Sequence, residues 1–221
     1  MTEEKQLTEL CEVVDTLLGE NGCPWDKEQT HKSLRASLLE ESYEVADAID
    51  LKDMKALEEE LGDLLLQVVM HSRIAEKDGH FTLASVIAHI ADKLVRRHTH
   101  IFGDDIAISP EAVLQTWEAN KNKEKEIFTP LDNMKAVPKA LPALARAQKV
   151  IKRSEKVFPD CIDKIRNLLD CLEKHADEVA KMEIHGEILL QMAALSLKLG
   201  LNAENSLTNA TQAYINSFEH L

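Results

Sequence analysis

Hydrophobic residues recur at three- and four-residue spacing along most of the chain, which is the period of an amphipathic α-helix. In the first half this spacing predicts helices over residues 3–18, 28–50, 53–77 and 83–98, and a fifth helix from residue 110. Ser109 is a good capping residue and Pro110 suits a first helical turn, so the fifth helix has a well-marked start. In the second half helices are predicted over residues 139–156, 161–177, 179–199 and 203–219. No segment shows the two-residue alternation of a strand, so the predicted fold class is all-α.

Three prolines interrupt the helical pattern in the segment IFTPLDNMKAVPKALP, which predicts a domain boundary. We therefore expect a first domain over 1–126, a linker over 127–138 and a second domain over 139–221. A weak internal repeat supports this division, because GDLLLQVVMHSRIA from Gly62 resembles GEILLQMAALSLKL from Gly186. We interpret the chain as two related halves of a helical bundle protein, of which the second has diverged.

The chain has 221 residues and a formal net charge of −13. This charge argues against binding of a nucleic-acid polymer through the overall field, although a local basic patch remains compatible with a small phosphate ligand. No apolar run approaches the length of a membrane span, and the acidic N-terminus is unlike a signal peptide. Four scattered cysteines are too few for a disulfide framework. These features predict a cytoplasmic protein with reduced thiols and no membrane association.

Acidic residues interrupt the apolar faces of the second and third predicted helices. On a helical wheel, Glu41 falls within the apolar stripe of its helix and Glu44 falls at the edge of that stripe. The third helix is apolar on most sides, which predicts burial, and its narrow polar seam holds Glu60, Asp63 and Gln67. Two helices joined by a tight turn pack antiparallel, so we expect the two acidic pairs to meet.

Four ionised carboxylates inside a bundle repel one another and lose hydration unless a cation compensates them. Solvated surface charge is the usual explanation of a Glu-rich helix, but paired acids at apolar seams of adjacent helices favour a metal site. Ligation by oxygen alone favours Mg²⁺, with Mn²⁺ as a substitute, over the iron of Glu-x-x-His bundles. A cation held only by carboxylates keeps positions open for substrate phosphates.

Other residues are candidates for contacts with a ligand. Lys93, Arg96 and Arg97 lie on one predicted helix at a spacing that suits phosphate groups, although a solvated basic face is an equal alternative. Trp25 lies in a predicted loop and is a candidate for stacking on a planar ring, with packing under the loop as the alternative. Lys121 is a candidate phosphate contact, with an ordinary surface lysine as the alternative.

The motif E-E-x-x-E, followed by E-x-x-D on the next helix, resembles the signature of the all-α nucleoside triphosphate pyrophosphohydrolases, and the chain resembles their MazG family. The segments NGCPWDKEQTHKSLRASLLEESYEVADAI, EELGDLLLQVV, ADKLVRRHTHIFGD and TWEANKNKEK carry the resemblance. The resemblance implies Mg²⁺-dependent hydrolysis between the α- and β-phosphates to a monophosphate and pyrophosphate. It implies that Glu41, Glu44, Glu60 and Asp63 are metal ligands and that Glu40 is an auxiliary acid. It also implies a homodimer with a four-helix core built from tandem MazG-like halves of both chains.

The second half departs from this motif. Glu187 stands at the place of Asp63 in the internal repeat, but Ile184 stands at the place of Glu60. We therefore predict that this half binds no catalytic metal and serves assembly or regulation. The expected function is cleaning or regulation of the nucleotide pool. A nucleotide-sensing or regulatory binding protein with little hydrolytic activity is the alternative, and a purely structural bundle leaves the buried acids unexplained.

Overall fold

A computed structural model describes residues 2–106, 108–126, 128–155, 158–174 and 177–218. Within these ranges the chain forms α-helices joined by turns, and none of them contains a β-strand, which confirms the all-α class. Contacts divide the chain into two compact units, Met1–Ile106 and Ala107–Leu221. The functional boundary expected near residues 127–138 stays a prediction.

The helices of the first unit are α1 (Glu3–Leu18), α2 (Pro24–Lys27), α3 (Arg35–Leu51), α4 (Met54–Lys77), α5 (Leu83–Arg97) and α6 (Thr99–Phe102). The predicted start of α5 is confirmed by a reciprocal cap. The Thr82 hydroxyl accepts a hydrogen bond from the Ser85 amide at 3.1 Å, and the Thr82 amide donates to the Ser85 hydroxyl at 3.1 Å. Two amide groups at the helix start are thereby satisfied.

Helices α3 and α4 form an antiparallel hairpin with a very short connection. Lys52 adopts a left-handed conformation with φ of 56° and ends α3, and Asp53 caps α4 by accepting from the amides of Lys55 and Ala56. Because only these two residues separate the helices, α3 must fold back along α4. The hairpin thus places the acidic faces of both helices side by side.

The hydrophobic core of the first unit lies between α1, the start of α3, the middle of α4 and the start of α5. Its buried residues are Val14, Leu34, Val69, Met70 and Leu83. Val14 and Val69 are fully buried, so α1 is held against α4 by the removal of apolar surface from water. This core secures the C-terminal part of α4, and the acidic residues lie nearer its N-terminus.

The second unit contains α7 (Pro110–Glu124), α8 (Pro130–Lys135), α9 (Ala143–Arg153), α10 (Cys161–Lys174), α11 (Glu178–Lys198) and α12 (Ala203–Asn216). Ser109 caps α7 by accepting from the Ala112 amide, as predicted. Helices α9 and α10 pack on α11 around a core of Ile151, Cys161, Ala193 and Ala194. The α10–α11 pair therefore resembles the α3–α4 pair of the first unit in its packing.

The prediction of one helix over residues 28–50 was wrong for residues 28–34. The Ser33 hydroxyl accepts from the Thr30 amide at 2.9 Å and the Thr30 hydroxyl accepts from the Ser33 amide at 3.1 Å, which is the same reciprocal cap as at Thr82 and Ser85. This cap marks a new start at Thr30, and residues 31–34 form turns. The helix α3 begins only at Arg35. The preceding segment was predicted to be a loop, but Pro24 occupies the first turn of the short α2, because its missing N–H is not needed there.

The proline-rich stretch predicted as a linker contains α8, which starts at Pro130 and is capped by Thr129, and its role as a linker stays a prediction. One further expectation needs correction. Helix α4 was expected to be buried on most sides, but Leu61, Leu65 and Val68 are exposed, Leu65 by 44%. Helices α1, α3 and α5 cover its other sides. The predicted helix ends at residues 156 and 219, the stretch 175–176 and the first linker residue 127 lie outside the described residues.

None of the helices in the described ranges is by itself long and apolar enough to cross a membrane. Helices α11 and α12 taken together meet these criteria of length and composition, but they are bent by 104° where they join.

Candidate metal centre

Three carboxylates converge where α3 and α4 pack against each other. Glu41 comes from α3, and Glu60 and Asp63 come from α4. One ligand oxygen from each lies within 4.8 Å of the others. Glu41 and Glu60 are half-buried, whereas Asp63 is exposed. Three oxygens this close to one another and open on one side can bind a single cation and leave coordination positions free.

The pKa values of two of these groups record the crowding of negative charge. Partial burial raises the pKa of Glu41, and so do its hydrogen bond with Glu44 and the charges of Glu44, Asp63 and Glu60. Partial burial and the charges of Glu44, Asp63 and Glu59 raise the pKa of Glu60. Each shift means that the ionised form is disfavoured in the absence of a cation.

Glu44 joins the cluster through Glu41. The interaction with the Glu44 carboxyl raises the pKa of Glu41, after burial and before the charges of Glu44, Asp63 and Glu60. A bound cation would offset the negative charge that these neighbouring carboxyl groups bring together. Glu44 is exposed and lies outside the group of three oxygens, and Glu40 is exposed on the same helix. The roles of both residues stay predictions.

The fit of a metal ion can be judged from the donor set and from one buried atom. The converging ligands are carboxylate oxygens, which suit hard cations such as Mg²⁺ or Mn²⁺. Gln67, on the same face of α4, is only 7% exposed, and its Oε1 is buried without a hydrogen-bond partner. An acceptor of this kind is satisfied when a hydrated cation is bound nearby. The residues therefore fit the expected metal.

The basic residues predicted to bind phosphate lie on α5 and differ in their environments. Lys93 and Arg96 line a groove of about 540 Å³ together with Phe81, Val86 and Ile90. Arg97 is buried. The structure therefore presents Lys93 and Arg96 to a groove and encloses Arg97, and phosphate binding by the three stays a prediction.

The remaining predicted contacts lie apart from this helix. Trp25 is 64% exposed in α2, so its ring is available for contact rather than packed under a loop. Lys121 lies on α7 of the second unit, where its Nζ is 5.4 Å from the ring centroid of Trp117, within the range of a cation–π contact. Contact of Trp25 or Lys121 with a nucleotide stays a prediction.

In the second unit, the charge of Glu187 is neutralised by a lysine of the same unit. Glu187 Oε1 accepts from Lys164 Nζ at 2.6 Å and from Gln191 Nε2 at 3.0 Å. The hydrogen bond from Lys164 is the main cause that lowers the pKa of Glu187. A lysine ammonium group thus lies against the carboxylate that stands at the place of Asp63 in the internal repeat. That this half binds no catalytic metal stays a prediction.

One contact in the first unit gave no signal in the sequence. His31, before α3, and His71, on α4, approach with their Nδ1 atoms 2.8 Å apart. Their ring centroids are 5.1 Å apart at an interplanar angle of 11°, so the rings lie edge to edge and one Nδ1–H donates to the other Nδ1. Burial and the charge of His31 lower the pKa of His71. Forty positions separate the two residues, so neither periodicity nor a motif could pair them.

Comparison with known proteins agrees with this geometry. The family model of the MazG nucleotide pyrophosphohydrolase domain matches residues 29–102, which include all of the converging acids. A nucleoside triphosphate pyrophosphohydrolase of Escherichia coli is 38% identical over 213 residues, covering 91% of this chain and 81% of that protein. The nucleoside triphosphate pyrophosphohydrolase/pyrophosphatase MazG of Thermotoga maritima is 36% identical over 219 residues, covering 96% and 84%. The acidic centre lies inside the matched domain, and these two relatives align with nearly the whole chain. The chain therefore belongs to the MazG family of nucleotide pyrophosphohydrolases.

Proposed function

We propose that this enzyme hydrolyses nucleoside triphosphates, including deoxynucleotides, between the α- and β-phosphates and releases a monophosphate and pyrophosphate. The observation that carries the proposal is the convergence of Glu41, Glu60 and Asp63 within 4.8 Å in a domain of this family. Such a reaction suits cleaning or regulation of the nucleotide pool in the cytoplasm. Relatives named for this activity in Escherichia coli and Thermotoga maritima support it.

The acidic residues hold the metal and position water in this proposal. Glu41, Glu44, Glu60 and Asp63 are the ligands of Mg²⁺, which Mn²⁺ can replace. A metal ion held by these residues would neutralise polyphosphate charge and lower the pKa of a coordinated water. Glu40 lies next to Glu41 on α3 and assists as an auxiliary acid that orients water. The raised pKa of Glu41, which has burial as its largest cause and neighbouring acids as further causes, supports a site that favours positive charge.

Basic and aromatic side chains are proposed to hold the nucleotide. Lys93, Arg96 and Arg97 on α5 contact the phosphates, and the groove lined by the first two supports this assignment. Lys121 is a further phosphate contact. Trp25 stacks on the base, since its exposed ring offers an apolar face to a planar ligand.

A homodimer is proposed on the basis of apolar surface in the first unit. Leu61, Leu65 and Val68 on α4 and Ile87, Ile90 and Leu94 on α5 are exposed. Exposed apolar clusters of this kind mark interaction surfaces in soluble proteins. A second copy that covers this surface of α4 would complete a four-helix core.

Pyrophosphate release from mixed nucleoside triphosphates and Mg²⁺ tests the proposal. We expect Glu41→Gln to lower kcat by at least about 100-fold, because a lost ligand should cost no less than the roughly 10- to 100-fold of a lost outer contact. Glu58→Gln on α4 is the matched control and should release pyrophosphate like the unmodified protein. Absence of release from the unmodified protein, together with nucleotide binding, would favour the sensing alternative. Loss of release in Glu187→Gln would show that the second unit carries the site.

A further inference from the structure

Gln67, on α4, is a buried polar residue that packing alone does not explain. Its side chain is 7% exposed, and its Oε1 is enclosed without a hydrogen-bond partner. A buried acceptor that lacks a donor destabilises the folded state, because its hydration is lost without replacement. The Gln67 Oε1 atom would therefore be stabilised by a hydrogen-bond donor from a bound ligand or water.

The position of Gln67 points to the source of that donor. Gln67 follows Asp63 by four residues and Glu60 by seven on α4, so the three side chains lie on one face of the helix. Ionised carboxylates accept hydrogen bonds and do not donate them. A divalent cation bound by these acids would bring coordinated water, and water has O–H groups to donate.

The internal repeat provides a comparison within the same chain. Gln191 occupies the place of Gln67 in the second unit and is 2% exposed. Its Nε2 donates to Glu187 Oε1 at 3.0 Å, and Lys164 Nζ donates to the same oxygen at 2.6 Å. In the second unit the glutamine therefore supports a carboxylate that a lysine neutralises. In the first unit the amide oxygen has no hydrogen-bond partner, and its residue lies on the face of α4 that carries Glu60 and Asp63.

We propose that Gln67 is a positioning residue of the metal centre, whose Oε1 accepts a hydrogen bond from water coordinated to the cation held by Glu60 and Asp63. The inference rests on the proposed function, because it requires that these acids bind a metal. A neutral amide orients the coordinated water without adding another negative charge to a site whose charges already repel.

Mn²⁺ binding without nucleotide tests this role independently of catalysis. Electron paramagnetic resonance gives the Mn²⁺ affinity, and thermal unfolding in EDTA gives the stability of the metal-free protein. Gln67→Met keeps the length of the side chain and removes the acceptor. We expect the Mn²⁺ affinity to fall by about 10- to 100-fold, as for other outer contacts of metal sites. The melting temperature in EDTA should stay unchanged or rise, because an unpartnered buried oxygen is removed.

Two further variants separate positioning from packing. Gln67→Glu retains an oxygen acceptor, so it should bind Mn²⁺ at least as tightly as the unmodified protein while melting lower in EDTA. Gln191→Met is the matched control and should lower the melting temperature without changing the Mn²⁺ affinity. Unchanged affinity in Gln67→Met, or weakened affinity in Gln67→Glu, would overturn the inference. If the unmodified protein binds no Mn²⁺, the proposed function itself fails.

Discussion

The charge of Glu41 should have opposite effects on stability in the metal-free and metal-bound protein. Its pKa is raised by partial burial, by the hydrogen bond with Glu44 and by neighbouring acids, so its ionised form is unfavourable while no cation is present. The same charge attracts the metal. Glu41→Gln should therefore stabilise the metal-free fold and weaken stabilisation by Mg²⁺.

The size of the first effect follows from the spacing of the ligand oxygens. At the 4.8 Å limit of the cluster, two unit charges repel by about 0.9 kcal/mol in a water-like dielectric, which suits partly solvated groups. Glu41 has two such neighbours, Glu60 and Asp63, and salt reduces each repulsion, so we expect a total gain of about 1 kcal/mol from neutralising Glu41. For a cooperative unit of about 100 residues, this corresponds to a rise in Tm of roughly 4–8 °C.

The second effect follows from ligand linkage. Each tenfold loss of affinity removes about 1.4 kcal/mol of the stabilisation that a saturating ligand provides. Thermal unfolding followed by circular dichroism, in EDTA and across a MgCl₂ titration, measures both effects. Glu58→Gln is the control for removal of one negative charge. A lower Tm of Glu41→Gln in EDTA, or an unchanged response to Mg²⁺, would refute the assignment of Glu41 as a ligand in a repulsive cluster.

The same pKa shift sets a pH dependence. The pKa of Glu41 is 4.5 in the unfolded chain and higher in the native protein, so native Glu41 binds a proton more readily. Protonation of Glu41 therefore stabilises the fold increasingly as pH falls from neutral toward 4.5, and this stabilisation is lost as pH rises. Glu41→Gln should remove this contribution in EDTA. An identical pH profile in the variant and the unmodified protein would contradict the shift.

Three further outcomes are expected. The pKa of His71 is lower in the native protein than the 6.5 of the unfolded chain, so stability is lost as pH falls below 6.5. His71→Gln should lessen this loss, as measured by urea unfolding between pH 7 and 5. Lys164→Met should raise the pKa of Glu187 and cost about 0.5–1 kcal/mol in denaturant unfolding, because the pair is partly exposed, while pyrophosphate release stays unchanged. Leu65→Asp should convert the proposed dimer to a monomer in light scattering coupled to size exclusion, and a persistent dimer would show that this face of α4 is not the interface.

Local chemistry made much of the fold predictable from sequence. The three- and four-residue spacing identified α1, α4 and α5 nearly to the residue, and the hydroxyl of Ser109 correctly predicted where α7 begins. These features depend on neighbours within one or two turns, which a sequence displays directly. The same reasoning failed for residues 28–34, where Thr30 and Ser33 form a reciprocal cap and turns precede the start of α3 at Arg35.

The acidic seams were also visible in the sequence, since wheel positions placed Glu41, Glu60 and Asp63 on faces that a hairpin would bring together. Their convergence was decided by the tertiary structure, through the two-residue turn that folds α3 along α4. The unpartnered Oε1 of Gln67 likewise became apparent only from packing.

By itself the sequence determined the helices, their caps, the acidic motif and the resemblance to a family, because each is a local pattern of residue types. Only the tertiary structure decided which atoms meet across elements. It paired His31 with His71, gave Glu187 the ammonium group of Lys164, and left Leu65 exposed. The physical reason is that these contacts depend on how separate helices pack, and the energy of packing is shared among residues far apart in the chain.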